Sequence, residues 1–179
     1  IDFTGLWRFV AILDIVQGSS PHLTIAKINF LSLSAHLSYL DLKKAMTNSK
    51  MLSSDVSAGF DPLFASVNDP KNAAYFNRGI VFNKYTGARG KSGCNDAMPE
   101  YVAWCRNVMD ENNIHYQTSE LGKVDLGGGG TIAYILGNYN MNVIDAGVPV
   151  LNMHAPMEIV SKADVYEAYC AYKAFISKN

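Results

Sequence analysis

Short apolar runs alternate along this chain with segments of helical periodicity, and this alternation is the feature that most constrains the fold. Strands that alternate with helices are typical of an α/β sheet with helices packed on both of its faces. We therefore expect an α/β fold of three layers, α-β-α. The predicted strands cover residues 51–55, 79–85, 114–118, 143–146 and 150–153, and the predicted helices cover residues 40–49, 97–112 and 131–137, with a last helix after residue 161.

Helix starts and helix faces are predicted from capping residues and apolar spacing. Asn95 or Asp96 is a candidate cap for the helix that follows, with Pro99 in its first turn. Ser161 is the candidate cap of the last helix, whose first turn carries Asp164. The apolar positions that we expect to face the core in that helix include Val165, Ala168, Tyr169, Tyr172 and Phe175.

Residues 1–40 show no clear pattern and are treated as an unassigned segment before a domain over residues 41–179. Residues 7–16 fit a buried strand or a helical turn equally well, whereas residues 17–21 read as a turn. The apolar run at 9–16 contains Asp14 and is too short to span a bilayer, so no membrane partner is expected. Because the chain begins at Ile1 without an initiator methionine, we expect it to be incomplete.

Charge and cysteine content argue against several classes of function. With 15 basic and 16 acidic residues the formal net charge is −1, which provides no broad basic surface for nucleic acid. The three cysteines, Cys94, Cys105 and Cys170, are odd in number and lack C-x-x-C spacing. Neither a disulfide framework nor a four-cysteine zinc site is indicated, and reduced thiols favour a cytoplasmic protein.

Two common site types lack their sequence signatures. The four glycines at 127–130 precede a predicted helix, where backbone amides attract anions, so an anion-binding module stays open as an alternative. Neither a phosphate-loop G-x-x-x-x-G-K-[ST] pattern nor a correctly placed G-x-G-x-x-G is present. No G-x-S-x-G elbow occurs, and Cys105 and Cys170 fall at interior helix positions where packing explains them.

One histidine stands at the end of a predicted strand. The apolar run at 150–153 is followed by His154, and a proline comes two residues later. Neutral imidazole is the commonest protein ligand for zinc, and the end of a strand is where a side chain leaves the core. Taken alone, His154 reads as an ordinary packing or capping residue, and Asp55 reads as a helix-cap or turn carboxylate.

Four segments carry a resemblance to a known family: residues 50–62, 84–91, 120–131 and 145–158. In this order they resemble the aspartyl aminopeptidase / aminopeptidase I family of zinc metallopeptidases, in its bacterial form, over residues 40–179. The resemblance implies part of a zinc-peptidase-like catalytic domain that removes single amino-terminal residues from peptides. It also implies two zinc ions per complete site and a homo-oligomer in the intact protein.

The resemblance assigns two metal ligands, Asp55 and His154, to this chain. The family's other ligands come from a His-x-Asp motif, a bridging aspartate and a Glu-Glu pair, whose first glutamate is the general base. The chain contains no His-x-Asp and no Glu-Glu. We therefore expect the carboxyl-terminal part of a catalytic domain that is inactive alone. The alternative is a non-catalytic remnant or assembly segment.

Further roles are implied at positions that match the family. Lys84 would lie near the peptide substrate, and Glu158 would orient His154 as a hydrogen-bond acceptor. Ser92 stands where family members can have a tyrosine. The pocket for the first side chain of the substrate would be shaped by Gly128, Gly129, Gly130 and Thr131.

Overall fold

The computed structural model describes residues 10–13, 38–88, 92–123 and 128–178. Ten strands and four α-helices are defined there, together with one 3₁₀ helix at Pro62–Val67. The strands are β1 (Val10–Leu13), β2 (Lys50–Ser53), β3 (Ser57–Ala58), β4 (Ile80–Asn83), β5 (Tyr85–Ala88), β6 (Ser92–Asp96), β7 (Tyr116–Thr118), β8 (Asn142–Gly147), β9 (Pro149–Leu151) and β10 (Ile159–Val160). The helices are α1 (Tyr39–Thr47), α2 (Pro99–Glu111), α3 (Ala133–Gly137) and α4 (Lys162–Ser177).

The central sheet has five strands in the order β1-β2-β8-β4-β7. Neighbouring strands are parallel except for β4 and β8, which are antiparallel. The register places Ser53 of β2 beside Asp145 of β8, and Asp145 beside Asn83 of β4. Three polar residues therefore form a row across the middle of the sheet, close to the carboxyl end of β2.

Helices cover both faces of this sheet, as the alternation of strands and helices predicts. Successive residues of a strand point to opposite faces. Leu52 and Ile144 belong to a core cluster with α2 and α4, whereas their neighbours Met51 and Val143 belong to a second cluster with α1 and α3. The α/β class with three layers is confirmed.

Helix α4 faces the core with three of the five predicted positions, Ala168, Tyr172 and Phe175, but not with the other two. The expected core residues Val165 and Tyr169 are 46% and 62% exposed. The buried Asp164 accepts backbone N–H groups from Asn77 and Gly79 at 2.9 and 2.8 Å, and this fixes the rotation of the helix. Ser161 caps α4 as predicted. The residues buried on the same face as Asp164 are Ala168, Ala171, Ala174 and Phe175, with Tyr172 half-buried.

The segment before α2 also differs from the prediction. The sequence predicts no strand or helix between the strand at 79–85 and the helix at 97–112, but the described part of residues 86–93 belongs to an antiparallel hairpin of β5 and β6. Asn95 and Asp96 therefore lie in a strand, and α2 begins after Met98 without a side-chain cap, with Pro99 in its first turn. The reason is non-local: Thr86 pairs with Asn95 across the hairpin, and the Asn95 amide donates to the carbonyl of Val143.

The amino-terminal region is described only at β1. Its backbone forms a strand parallel to β2, which favours the strand interpretation for part of residues 7–16. The predicted turn at 17–21 lies outside the described residues. Within the described residues, no helix is both long and apolar enough to cross a membrane.

Candidate metal and substrate site

Asp55 lies in the turn between β2 and β3, two residues beyond the end of β2. Its carboxylate is half-buried, and burial raises its pKa. The backbone N–H of Val56 and the positive form of His154 both act in the opposite direction and lower that pKa. His154 is therefore close enough to Asp55 for electrostatic attraction, although the two residues are 99 positions apart in the sequence.

His154 follows β9 in a tight turn with unusual backbone angles. Asn152 and His154 have φ values of 58° and 68°, in the left-handed region that is uncommon for residues other than glycine. The backbone N–H of His154 donates to Oε1 of Glu158 at 2.6 Å. The contact that the structure shows for Glu158 is thus with the main chain of His154. Local strain of this kind costs on the order of 1–3 kcal/mol and is frequent at ligand sites.

A second carboxylate, Asp145 of β8, is paired in register with Ser53, two residues before Asp55, and is not assigned by the sequence prediction. It is 1% exposed, and Thr131 Oγ1 donates to its Oδ2 at 2.8 Å. Burial raises the pKa of Asp145 to about 6; the nearby hydroxyls of Ser53 and Thr131 lower it, and the charge of Asp55 raises it. An acidic residue inside an apolar strand was the sequence signal for this position.

Lys84 follows β4 and lies among carboxylates of this chain. Its Nζ forms an ion pair with Asp96, in which both side chains are partly exposed. Glu120 is close by: burial and the charge of Asp96 raise its pKa, and Lys84 lowers it. The ammonium group is therefore partly neutralised within the chain, and its contact with substrate stays a prediction.

The glycine-rich segment, whose described residues are 128–131, packs against the β5–β6 hairpin. The N–H of Gly87 donates to the carbonyl of Gly129 at 2.9 Å. Gly128 has a φ of 82°, and a Cβ there would lie 2.6 Å from the carbonyl oxygen of Gly87, so only glycine fits without displacement. Gly130 is exposed, whereas Thr131 is buried and bonded to Asp145. The structure thus gives Gly128 a packing role in addition to the predicted role at the substrate.

The two predicted metal ligands have donor atoms that suit zinc. A carboxylate oxygen and an imidazole nitrogen are both common zinc ligands, and catalytic zinc sites normally contain three protein ligands. Among the described residues, no group of three or more histidine, cysteine, aspartate or glutamate side chains is arranged to hold a metal ion. The donor chemistry of Asp55 and His154 therefore fits zinc, and further ligands are needed to complete a catalytic site.

Comparison with known proteins gives a consistent result. A family model described as "Aminopeptidase I zinc metalloprotease (M18)" matches residues 16–176. The chain is 59% identical over 154 residues to "Probable M18 family aminopeptidase 1" of Clostridium acetobutylicum, covering 86% of this chain and 33% of the relative. It is 51% identical over 136 residues to the protein of the same name from Borreliella burgdorferi strain ZS7, covering 76% of this chain and 30% of the relative.

Solved structures agree with the sequence relatives. The crystal structure of aminopeptidase I from Clostridium acetobutylicum matches with a TM-score of 0.77 at 56% identity, over 85% of this chain and 33% of that one. The M18-family structure from Thermotoga maritima matches with a TM-score of 0.80 at 39% identity, over 89% of this chain and 37% of that one. The chain spans about a third of the length of the curated relatives it matches. It belongs to the M18 family of aminopeptidase I zinc metalloproteases.

Proposed function

We propose that this chain is the carboxyl-terminal part of the catalytic domain of a zinc aminopeptidase that removes single amino-terminal residues from peptides. One observation supports the proposal: the charge of His154 acts on the Asp55 carboxylate, although the two residues are 99 positions apart in the sequence. Their donor types are those that zinc takes. Family membership supports the chemistry, because the matching model describes zinc metalloproteases.

The residues of this chain would hold the metals and the substrate. Asp55 and His154 would each bind one of two zinc ions, and Glu158 would keep His154 in its tight turn through the main chain. Lys84 would attract a carboxylate of the peptide. Gly128, Gly129, Gly130 and Thr131 would shape the wall beside the first side chain. Zinc, when bound, polarises a carbonyl group and activates water.

The remaining groups of the reaction would come from outside this chain. The chain contains no His-x-Asp motif and no Glu-Glu pair, so the missing ligands and the general base have no counterpart in its sequence. We therefore propose that the chain alone does not hydrolyse peptides. The intact protein would work as a cytoplasmic homo-oligomer.

A second candidate function is a non-catalytic remnant or assembly segment. It is favoured by the absence of a three-donor cluster among the described residues. An anion-binding module at the glycine-rich segment has less support, because the carbonyl of Gly129 and the φ angle of Gly128 are both used in packing on the hairpin.

Zinc binding by the 179-residue chain separates these candidates. We expect weak zinc binding, measured by calorimetry, that D55N and H154Q each reduce by about tenfold or more, the loss expected when one ligand of a weak site is removed. The controls are D110N and H115Q, which change exposed residues of the same types. Equal zinc affinity in all five proteins would contradict the proposed metal site.

An aminopeptidase assay on peptides with acidic and neutral first residues tests the rest of the proposal. We expect no hydrolysis by the chain alone at any zinc concentration. Zinc-dependent hydrolysis that H154Q abolishes would show that the chain is catalytically sufficient, and the proposal of incompleteness would then be wrong.

A further inference from the structure

Asp145 is a buried carboxylate that joins four segments around the proposed metal site. It stands on β8 between Ser53 of β2 and Asn83 of β4 in the register of the central sheet. Its Oδ2 accepts the hydroxyl of Thr131, which ends the glycine-rich segment. That same hydroxyl lies 3.3 Å from the hydroxyl of Thr86 in β5.

The second carboxylate oxygen of Asp145 can accept a hydrogen bond, and the hydroxyl of Ser53 can donate one. Within the described residues, Oδ1 of Asp145 and Oγ of Ser53 are buried without a hydrogen-bond partner. The two residues are paired in register on neighbouring strands, and both are 1% exposed. An unmade buried hydrogen bond costs about 1–3 kcal/mol. The Ser53 hydroxyl, which can donate, acts on the Asp145 carboxylate and lowers its pKa.

The residues next to this pair support the proposed metal ligand. Asp55 follows Ser53 by two positions, and Gly147 follows Asp145 by two positions. A Cβ at Gly147 would lie 1.8 Å from the carbonyl oxygen of Asp55, so the turn that carries Asp55 rests directly on the end of β8. One carboxylate thus connects the strand that leads to Asp55 with the segment that ends at Thr131.

We propose that Asp145 is a positioning residue that fixes the segment from Gly128 to Thr131 relative to the turn that carries Asp55. The inference rests on the proposed function, because these are the predicted substrate wall and the predicted metal ligand. Asp145 itself touches neither substrate nor metal in this proposal. It acts through the hydroxyls of Thr131 and Ser53, which hold the two sides of the site at a fixed separation.

A purely structural carboxylate would behave differently, and the chain contains one for comparison. Asp164 is also fully buried, and it binds the N–H groups of Asn77 and Gly79 at the start of α4. Its loss is expected to loosen that region without moving the glycine-rich segment. Asp164 is therefore the matched control for a buried carboxylate.

Amide hydrogen exchange of the whole 179-residue chain, followed by NMR, tests the proposal at individual bonds. The Gly87 N–H reports on the glycine-rich segment through its bond to Gly129, and the Ala133 N–H reports on Thr131. The Gly79 N–H reports on Asp164. We expect D145N to accelerate exchange at Gly87 and Ala133 about tenfold more than at Gly79, since local opening governs exchange.

The control variants give the opposite pattern. We expect D164N to accelerate amide exchange at Gly79 and to leave the exchange rate at Gly87 within about twofold of its original value. T131V should accelerate amide exchange at Gly87, as D145N does. T131S keeps the hydroxyl and should leave that exchange rate unchanged. If D145N fails to fold, T131V and S53A still decide the question. Equal acceleration at all three amides in these variants would overturn the proposal.

A zinc titration of the same samples keeps this inference separate from the proposed function. The Val56 N–H interacts with the Asp55 carboxylate, so its NMR signal reports on zinc binding at Asp55. We expect D145N to weaken zinc binding about tenfold. If the original chain binds no zinc, the proposed function fails, and the exchange rates still test the role of Asp145. If D145N changes neither the zinc affinity nor the exchange rate at Gly87, the positioning role of Asp145 is wrong.

Discussion

The carbonyl oxygen of Asp55 occupies the space that a side chain at Gly147 would need. A Cβ built at Gly147 would lie 1.8 Å from that oxygen and 3.1 Å from the Cα of Val56. Backbone atoms of the turn therefore meet the end of β8 without an intervening side chain. This contact fixes the position of the proposed metal ligand, Asp55, relative to the sheet.

Replacing Gly147 with alanine is expected to displace the turn that carries Asp55. The clash is with backbone, so it cannot be relieved by a side-chain rotation, and overpacking of this kind costs about 1–3 kcal/mol or more. We expect G147A to lower the free energy of unfolding in urea by about that amount and to weaken zinc binding. The control is G137A, where a Cβ would meet only the end of the Asn95 side chain. A G147A protein as stable as the original would contradict the observed contact.

The raised pKa of Asp145 predicts a stability that falls as the pH rises. Burial raises this pKa from its ordinary value of 3.8 to about 6 in the folded chain. The folded state then holds the proton more tightly than the unfolded state between these values, and the resulting stabilisation is lost as the pH passes through about 6. The size of the effect is on the order of 3 kcal/mol.

Urea unfolding of the metal-free chain between pH 4 and pH 7 measures this effect, with pH values chosen around the ordinary and raised pKa. Asp55 and Glu120 also have raised pKa values, so the informative quantity is the difference between the original chain and D145N. That difference should shrink as the pH rises through about 6. A difference that is constant with pH would show that Asp145 titrates normally.

Truncation of Asp164 should destabilise the fold through two unsatisfied backbone donors. Its carboxylate is the acceptor for the N–H groups of Asn77 and Gly79, in a fully buried position. Hydrogen bonds to a charged group contribute about 1.5–3 kcal/mol each. We expect D164A to lower the melting temperature by several degrees, whereas D110A, at an exposed position of α2, leaves it unchanged. Equal melting temperatures for the two variants would contradict this role.

The rotation of α4 can be checked with polar substitutions. Val165 and Tyr169 are exposed, so V165S and Y169S should change the free energy of unfolding by about 0.5 kcal/mol or less. Phe175 is fully buried and packs edge-on against Trp104, so F175A should cost about 3–5 kcal/mol. A loss for V165S similar to that for F175A would instead support the core position predicted for Val165.

Local signals in the sequence determined the class of the fold and several of its boundaries. The alternation of apolar runs and helical segments predicts the layered α/β sheet, because strand and helix periodicities depend on neighbouring residues. The cap at Ser161 and the proline in the first turn of α2 are correct for the same reason. The family followed from motifs that keep their order along the chain.

Only the tertiary structure decided which residues meet across the chain. The hairpin that places Asn95 in a strand, the rotation of α4 by Asp164 and the burial of Asp145 all depend on partners far away in the sequence. The electrostatic effect of His154 on Asp55 is of the same kind. A periodic pattern records how a residue relates to its neighbours in the chain, whereas burial and hydrogen bonding are set by whatever the folded chain brings beside it.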